Sequence, residues 1–241
     1  MNNILQILKE QKDMKLKGNI YHAVQTKFAY NTNRIEGSTL TEEQTIHIFE
    51  TNTLINPNEF TKVDDISETT NHFYMFDYML DTINEPLTET LIKKFHQILK
   101  RNTSDERKDW FMVGEYKKLP NVIGQTETSS PKDVSKDIKK LLKWYEEENI
   151  TLETIIEFHT KFEKIHPFQD GNGRVGRMIM FRECLKYNIT PFIVDDKHKE
   201  FYYRGLVKYR EGEKGWLTDT IKSAQDDFIK LCDKFLNDSS L

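Results

Sequence analysis

A twelve-residue stretch, residues 166–177 with the sequence HPFQDGNGRVGR, separates two segments that are predicted to be helices. In the segment before it, apolar residues recur at helical spacing over 152–162, and Thr151 is a plausible N-cap. Pro167 disfavours helical geometry at the preceding residue, so this helix is predicted to end at the start of the stretch. The segment after it, 175–185, is strongly apolar and is predicted to be a buried helix. A polar loop between two packed helices is therefore the predicted centre of the fold.

The loop combines residue types that suit phosphate binding. Glycine and asparagine reach positive φ at little cost, so Gly171, Asn172 and Gly173 are predicted to curl the backbone and direct several N–H groups at one point. These N–H groups open a helix, whose dipole also favours an anion. Arg174 and Arg177 are three residues apart, so they are predicted to share a helix face and to bind one polyphosphate together.

Two more side chains in the loop suit metal binding and catalysis. Asp170 would repel phosphate by itself, but its carboxylate is a hard oxygen ligand of the kind that Mg²⁺ prefers. An imidazole ordinarily changes charge near neutral pH, so His166 is a candidate general base. Each feature alone is more often structural, such as a turn or a solvated face. Their occurrence together within twelve residues favours a site that binds phosphate.

This loop resembles the signature of the Fic family, His-x-Phe-x-(Asp/Glu)-Gly-Asn-Gly-Arg-x-x-Arg, at every fixed position. The resemblance implies an all-helical enzyme that transfers AMP from ATP to a hydroxyl side chain of a target protein and releases pyrophosphate. It implies His166 as the base, Asp170 as the Mg²⁺ ligand, and Arg174 and Arg177 as contacts to the β and γ phosphates. The nucleotide-binding residues that it implies in the loop are Gly171, Asn172, Gly173, Arg174, Val175, Gly176 and Arg177.

A second resemblance to Fic proteins lies near the N-terminus. A helix is predicted over 20–35, with Gly37 as its stop signal. Its last turn, from Thr32 to Gly37, resembles the inhibitory helix pattern (Ser/Thr)-x-x-x-Glu-(Gly/Asn) that many Fic proteins carry, here in the N-terminal position. By that resemblance Glu36 pairs with Arg177 and denies it to the γ-phosphate. The alternative is an exposed glutamate at a helix end.

One region of the chain carries β signals. Residues 111–113 and 121–123 are short apolar runs joined by turn residues, which predicts two extended segments. The region resembles the β-hairpin flap of Fic proteins, which lies over the active site and holds the target protein by adding a strand. The target is therefore expected to dock from about Gly114 to Pro131, although a purely structural hairpin is the alternative. The nucleotide contacts expected in the flap are Asn121, Val122, Ile123 and Gly124.

Residues 201–206, FYYRGL, resemble the Fic helix that carries a pair of tyrosines. The second tyrosine of that pair contacts adenine, which implies Tyr203, with Tyr202 beside it. Arg210, two turns further on, is a second candidate. The family often has asparagine at this position, so the departure leaves the adenine contact open.

The predicted fold class is all-α, a Fic-type helical bundle with a short β-hairpin flap over the active site. The chain has 241 residues, which suits one compact unit. We expect an N-terminal helical arm (1–60), which contains the inhibitory helix (about 20–37), packed on a catalytic core (61–241). The counts of 10 Gly and 6 Pro disfavour a turn-rich all-β fold. Asn56, Pro57 and Asn58 predict a loop over 54–63.

Charge and hydropathy narrow the possible partners and locations. The net charge of −4 gives no case for non-specific nucleic-acid binding. No apolar run approaches the length of a membrane span or of a signal-peptide core, so no membrane association and a cytoplasmic location are expected. Cys184 and Cys232 fall in apolar helical patterns and are predicted to be buried thiols rather than a disulfide.

Several functions remain open from the sequence. The same site could hydrolyse AMP from a modified protein, with Glu36 positioning a water molecule, or could transfer another nucleotide or a phosphocholine group. A non-enzymatic alternative is an ATP-binding sensor or interaction module that has retained the motif. A helix-turn-helix DNA reader is less favoured, because the chain has no basic recognition helix. The sequence leaves a homodimer open.

Overall fold

The computed structural model describes residues 4–14, 16–55, 60–124 and 126–237. Within these residues the protein has ten α-helices, one two-stranded antiparallel hairpin and short 3₁₀ turns at Ser104–Arg107 and Asp196–His198. The prediction of an all-α fold with a short hairpin is confirmed. The elements are α1 (Ile4–Met14), α2 (Ile20–Ile35), α3 (Glu42–Thr51), α4 (Val63–Asp81), α5 (Glu89–Lys100), β1 (Val122–Ile123), β2 (Thr126–Glu127), α6 (Val134–Glu147), α7 (Leu152–Ile165), α8 (Asn172–Lys186), α9 (Lys199–Arg210) and α10 (Gly215–Asn237).

Side-chain caps fix where several helices begin. Thr41 accepts a hydrogen bond from the N–H of Gln44, and the Gln44 side chain accepts one from the N–H of Thr41, which forms a capping box. Thr88 caps α5 through the N–H of Leu91. Thr151 caps α7, as predicted. Because these bonds satisfy amide groups that have no partner inside their own helix, short local sequences determine the boundaries.

Helix α8 lies at the centre of the fold. All of its residues from Asn172 to Leu185 are buried except Gly173, which agrees with the predicted buried helix. It packs against α2, α4, α5 and α7. The rings of Phe28, Phe76 and Phe181 meet there, with centroids 5.1 to 6.3 Å apart. This packing holds the first turn of α8, and the loop before it, in a fixed position.

A second apolar cluster joins α8 to α9 and α10 through Met180, Tyr202, Leu206 and Leu217. The two last helices pack closely, because an added Cβ at Gly205 of α9 would lie 2.9 Å from the Cα of Leu217 in α10. Helix α10 therefore supports α9 directly.

The apolar run 111–113 is not a strand, and this prediction is wrong. Phe111 is buried and packs beside the ring of His96, with the centroids 6.0 Å apart. Gly114, with φ +80°, then turns the chain and donates its N–H to His96 Nδ1. The run is a core contact of α5, and both strands of the hairpin lie further along the chain, at β1 and β2.

Cys184 and Cys232 are free, buried thiols, as predicted. Residues 56–59, the middle of the predicted loop over 54–63, lie outside the described residues. Helices α1 and α2 share one apolar core with α4, α5 and α8, and the division at residue 60 stays a prediction. Among the described helices, none combines the length and the apolar character needed to cross a bilayer.

We expect Gly205→Ala to lower the free energy of unfolding by about 1–3 kcal/mol, because the new methyl group would press on the backbone of α10. Gly215 provides a matched control, since nothing lies within 4 Å of the Cβ that it would gain. Denaturant unfolding of both variants, followed by circular dichroism, measures the difference. A Gly205→Ala variant as stable as Gly215→Ala would contradict the close packing of α9 on α10.

Candidate active site

Helix α7 ends at His166, which adopts a left-handed backbone conformation with φ 51° and ψ 63°. Its N–H donates to the carbonyl of Phe162 and closes the last helical turn, and Pro167 follows. This conformation is uncommon for a residue with a Cβ, so contacts around the loop have to hold it. The imidazole is 20% exposed and lines a cavity.

Phe168 anchors the loop that follows His166. Its buried ring stacks on His96, with the centroids 4.0 Å apart and an angle of 2° between the planes. Since His96 Nδ1 accepts the N–H of Gly114, its Nε2 carries the proton and donates to the carbonyl of Asp170 at 3.2 Å. Burial lowers the pKa of His96 to about 3 and keeps the ring neutral, as this pattern requires.

The glycines of the loop have different roles. Only Gly171 has a positive φ, at 80°, and it is the N-cap of α8. Asn172 is the first residue of α8, and its side-chain amide bonds both the N–H and the carbonyl of Phe168 at 2.8 Å. The positive φ predicted for Asn172 and Gly173 is wrong, because both residues already belong to the first helical turn.

Arg177 is buried, with 3% of its side chain exposed, and binds the end of α2. Its Nη2 donates to Glu36 Oε1 at 2.5 Å, and its Nε donates to Thr32 Oγ1 at 2.7 Å. Gly37, with φ +92°, ends the helix beside this pair. Burial disfavours the charge of Arg177, but the Glu36 carboxylate outweighs this and raises the pKa of Arg177 above its ordinary value. Gly173 leaves room for the pair, because a Cβ there would lie 2.9 Å from Arg177 Nη1.

Arg174 binds a different set of groups from Arg177. Its guanidinium pairs with Glu68 of α4 and with Asp170 Oδ2, the latter at 3.1 Å. The binding of one polyphosphate by both arginines stays a prediction. Each is committed to a carboxylate from another part of the fold.

Three carboxylates, those of Glu68, Asp105 and Asp170, offer oxygens within 4.8 Å of one another. The ammonium of Lys100 already lies among them, 2.5 Å from Asp105 and 2.7 Å from Asp170, and it also pairs with Glu68. Only 2% of the Lys100 side chain is exposed. The group is therefore a cluster of ion pairs around a protein cation.

Asp170 by itself fits the predicted Mg²⁺ ligand. Its side chain is 50% exposed, and both of its ion pairs use Oδ2. Burial opposes its ionisation, but Arg174 and Lys100 outweigh this and hold the pKa of Asp170 well below its ordinary value. An ionised, half-exposed carboxylate suits Mg²⁺, which takes only one or two carboxylates from the protein.

A cavity of about 510 Å³ opens beside the Glu36–Arg177 pair, within the size range of small-molecule sites. Thr126, Glu163, Leu206 and Val207 form part of its wall. The predicted site residues that also line it are Glu36, Val122, Ile123, Gly124, His166, Gly173, Arg177, Tyr202, Tyr203 and Arg210. The predicted site residues that lie outside this lining are Thr32, Gly37, Asn121, Asp170, Gly171, Asn172, Arg174, Val175 and Gly176.

Helix α9 forms one wall of the cavity. The buried hydroxyl of Tyr202 lies 2.5 Å from His159 Nε2. Tyr203 donates its hydroxyl to the carbonyl of Ile35, the last residue of α2, at 3.1 Å. Burial raises the pKa of Tyr203 to about 12, so it remains a neutral donor. Arg210 lies two turns further along, and its buried Nε has no hydrogen-bond partner among the described residues.

The hairpin forms the opposite wall, and its base holds the His166 loop. Lys117 Nζ donates to Asn121 Oδ1 and Thr128 Oγ1, both at 2.6 Å, and to the carbonyl of Ile165 at 3.3 Å. Asn121 Nδ2 donates to the carbonyl of Phe168 at 2.9 Å. Burial lowers the pKa of Lys117 to about 8.

Sequence reasoning missed two residues at this site. Glu163 lies in the wall of the cavity beside His166. A carboxylate one helical turn before a candidate base is a signal that spacing alone could have supplied. The sequence carries no such signal for Lys117, because its partners Thr128 and the carbonyl of Ile165 are brought to it by the tertiary fold.

The helical bundle, the loop after α7 and the hairpin over one cavity define the class of Fic-type folds. A family model described as the Fic/DOC family matches residues 86–184. A Fic-domain-containing signalling protein from Bacteroides thetaiotaomicron superposes with a TM-score of 0.74 at 22% identity, over 95% of this chain and 93% of that one. Fic-1 from C. elegans superposes with a TM-score of 0.73 at 20% identity, over 99% of this chain and 73% of that one.

Two curated relatives are named Protein adenylyltransferase Fic. The one from Drosophila erecta is 26% identical over 191 residues, which are 76% of this chain and 37% of that protein. The one from Culex quinquefasciatus is 25% identical over 194 residues, with the same shares. This chain thus spans little more than a third of the length of these relatives. Residues 86–184 thus match the Fic/DOC family model, and the described residues have the fold of Fic-domain proteins.

We expect Lys100→Met to lower the free energy of unfolding by about 3–5 kcal/mol at neutral pH, because it removes the buried cation that Glu68, Asp105 and Asp170 share. The loss is expected to shrink as the pH falls toward the ordinary range of Asp and Glu, since protonation removes the repulsion. Lys108→Met is the control. Lys108 also pairs with Asp105, but its own side chain is 41% exposed, so we expect its removal to lower the free energy of unfolding by about 1 kcal/mol or less. Urea unfolding at several pH values measures both. Equal stability of the two variants would contradict the ion-pair cluster.

Proposed function

We propose that this protein is an autoinhibited protein adenylyltransferase, which transfers AMP from ATP to a hydroxyl side chain of a target protein. The observation that carries the proposal is the Glu36–Arg177 ion pair in the wall of the cavity that also holds His166. The complete loop signature supports it. So do the relatives that are named adenylyltransferases.

In the proposed reaction His166 takes the proton of the acceptor hydroxyl. The oxygen then bonds to the α-phosphorus, the bond from that phosphorus to the bridging oxygen breaks, and pyrophosphate leaves with its charge on that oxygen. Backbone N–H groups at the start of α8 and the guanidinium of Arg177 stabilise the charge. Mg²⁺, when bound at Asp170, would neutralise phosphate charge further. The residues supply position and charge.

The proposed inhibition follows from the ion pair of Glu36 with the guanidinium of Arg177. With Glu36 on Arg177, this arginine is unavailable to the γ-phosphate, and the carboxylate would repel the triphosphate. Glu36 is the C-cap of α2, where the helix dipole disfavours a negative charge. A charge-assisted hydrogen bond contributes about 1.5–3 kcal/mol, so its loss would shift the balance about ten- to a hundredfold.

The hairpin is the proposed docking site of the target protein. Val122 is 62% exposed on β1, and β1 and β2 pair Val122 with Glu127 and Ile123 with Thr126. An added strand would be held by main-chain hydrogen bonds, which set register without requiring a particular target side chain.

We expect Glu36→Gly to raise AMP transfer about ten- to a hundredfold over wild type, because it frees Arg177. Glu36→Gly combined with His166→Ala should show no transfer, because no base remains. The measurement is autoradiography with α-labelled ATP and Mg²⁺, with self-modification as the readout. Glu211→Gly is the matched control, since Glu211 also caps a helix C-terminus before a glycine but pairs with Lys208 at the surface, and its transfer should equal that of wild type.

Absence of label from every variant, with ATP binding intact, would contradict the proposal. A pre-adenylylated protein then separates the two alternatives. Release of AMP by wild type but not by Glu36→Gly would identify a hydrolase that uses Glu36 to position water. No release by either would leave an ATP-binding sensor.

A further inference from the structure

Glu163 lies next to the candidate base, in the wall of the same cavity. It is three residues before His166, and its Oε2 is 3.5 Å from His166 Nδ1. Only 8% of the Glu163 side chain is exposed. The carboxylate therefore faces Nδ1 of His166 from a largely buried position on α7.

The buried polar atoms around Glu163 have few other partners. Glu163 Oε1, His159 Nδ1 and His166 Nδ1 are all buried and have no hydrogen-bond partner among the described residues. The opposite nitrogen of His159 is engaged by the hydroxyl of Tyr202, and burial lowers the pKa of His159 to about 4, so this ring is neutral. A buried carboxylate in such a place is costly unless it faces a cation or a donor. His166 can supply either, whereas the neutral ring of His159 can supply only a donor.

Gly176 of α8 makes the space that this arrangement needs. A Cβ at this position would lie 2.7 Å from His159 Cε1 and 3.2 Å from Glu163 Oε1. The φ of Gly176 is not positive, so the backbone conformation does not require glycine there. The glycine at a variable position of the loop signature is thus explained by the carboxylate and the imidazole packed against α8.

We infer that Glu163 is the positioning residue of the base: it holds His166 with a proton on Nδ1 and the lone pair of Nε2 directed into the cavity. The inference rests on the proposed function and adds a residue to it. When Nε2 takes the proton of the acceptor hydroxyl, the ring becomes a cation, and the carboxylate at Nδ1 stabilises that charge while remaining ionised. Burial opposes the ionisation of Glu163, but the neighbouring His166 and Arg177 favour it, and the pKa of Glu163 is lowered.

Groups from other elements also face the cavity and have to be separated from Glu163 in a test. They are Glu36 of α2, Arg177 of α8, and Tyr202, Tyr203 and Arg210 of α9. Kinetic tests are therefore made in the Glu36→Gly background, which removes the other carboxylate. Glu163→Gln keeps the shape of the side chain and removes its charge.

The first test does not depend on catalysis. Nitrogen NMR of ¹⁵N-histidine-labelled full-length protein reports which ring nitrogen of each neutral histidine carries the proton, and His166→Asn assigns the signal. In the otherwise wild-type chain we expect His166 protonated on Nδ1, and in Glu163→Gln a measurable shift toward the Nε2 form. Glu157→Gln is the matched control, because Glu157 lies on α7 but pairs with Lys161 and Lys214 at the surface. An Nε2-protonated His166 in wild type, or the same tautomer distribution in all three proteins, would overturn the inference.

The second test measures AMP transfer in the Glu36→Gly background. Glu163→Gln is expected to lower kcat about 10- to 100-fold, part of what general base catalysis contributes, with the KM for ATP changed less than about twofold. Glu163→Asp should recover part of the loss, since it restores the charge. Equal falls in Glu163→Gln and Glu163→Asp, or a rise in KM with kcat unchanged, would contradict a positioning role. If the Glu36→Gly parent itself shows no transfer, the proposed function fails, and the tautomer of His166 still decides the inference.

Discussion

Helix α8 is buried almost all round and carries three arginines. The rest of the structure has to supply partners for their guanidiniums. Burial of an unpaired cation is far more costly than burial of a paired one. Arg174 is paired from α4 by Glu68, and Arg177 is paired from the end of α2 by Glu36. Arg182 pairs with its neighbour Glu183 and also donates to carbonyls of the connection between α4 and α5. The positions of α2, α4 and that connection around α8 are therefore matched to charge as well as to apolar shape. Two of the three, Arg174 and Arg177, are also the proposed phosphate contacts.

The base of the hairpin is hydrogen-bonded to the chain on either side of the candidate base. Lys117 and Asn121, at the base of the hairpin, bind the carbonyls of Ile165 and Phe168, on either side of His166. The N–H of Lys117 also donates to the carbonyl of Pro167. These bonds help to hold His166 in a backbone conformation that it would not favour alone. A segment that docks on the hairpin would thus act on the residues that position His166.

The sequence predicted best those features that depend on neighbouring residues. The N-cap predicted at Thr151 depends on residues within three positions, and it is present. The run at 111–113 was misjudged, because a short apolar run is equally suited to a strand and to a core contact, and only the position of His96 decides between them. Arg174 shows the same limit: its spacing from Arg177 is local, but its partner Glu68 is 106 residues distant. The fold and the members of the cavity wall were thus largely predictable, whereas the partners of each buried charge were not.

The hydrogen bond from Tyr203 to the last carbonyl of α2 has a consequence for ligand binding. Glu36 follows directly after that carbonyl, so the end of α2 is fastened both to Arg177 and to the α9 wall of the same cavity. A displacement of this helix end would free the guanidinium of Arg177 and would also break the hydrogen bond of Tyr203 to α2. By thermodynamic reciprocity, any molecule that binds more tightly to the opened cavity must weaken the docking of α2 by the same factor. The end of α2 and the occupant of the cavity are thus competing ligands for one set of groups, although one of them is part of the chain.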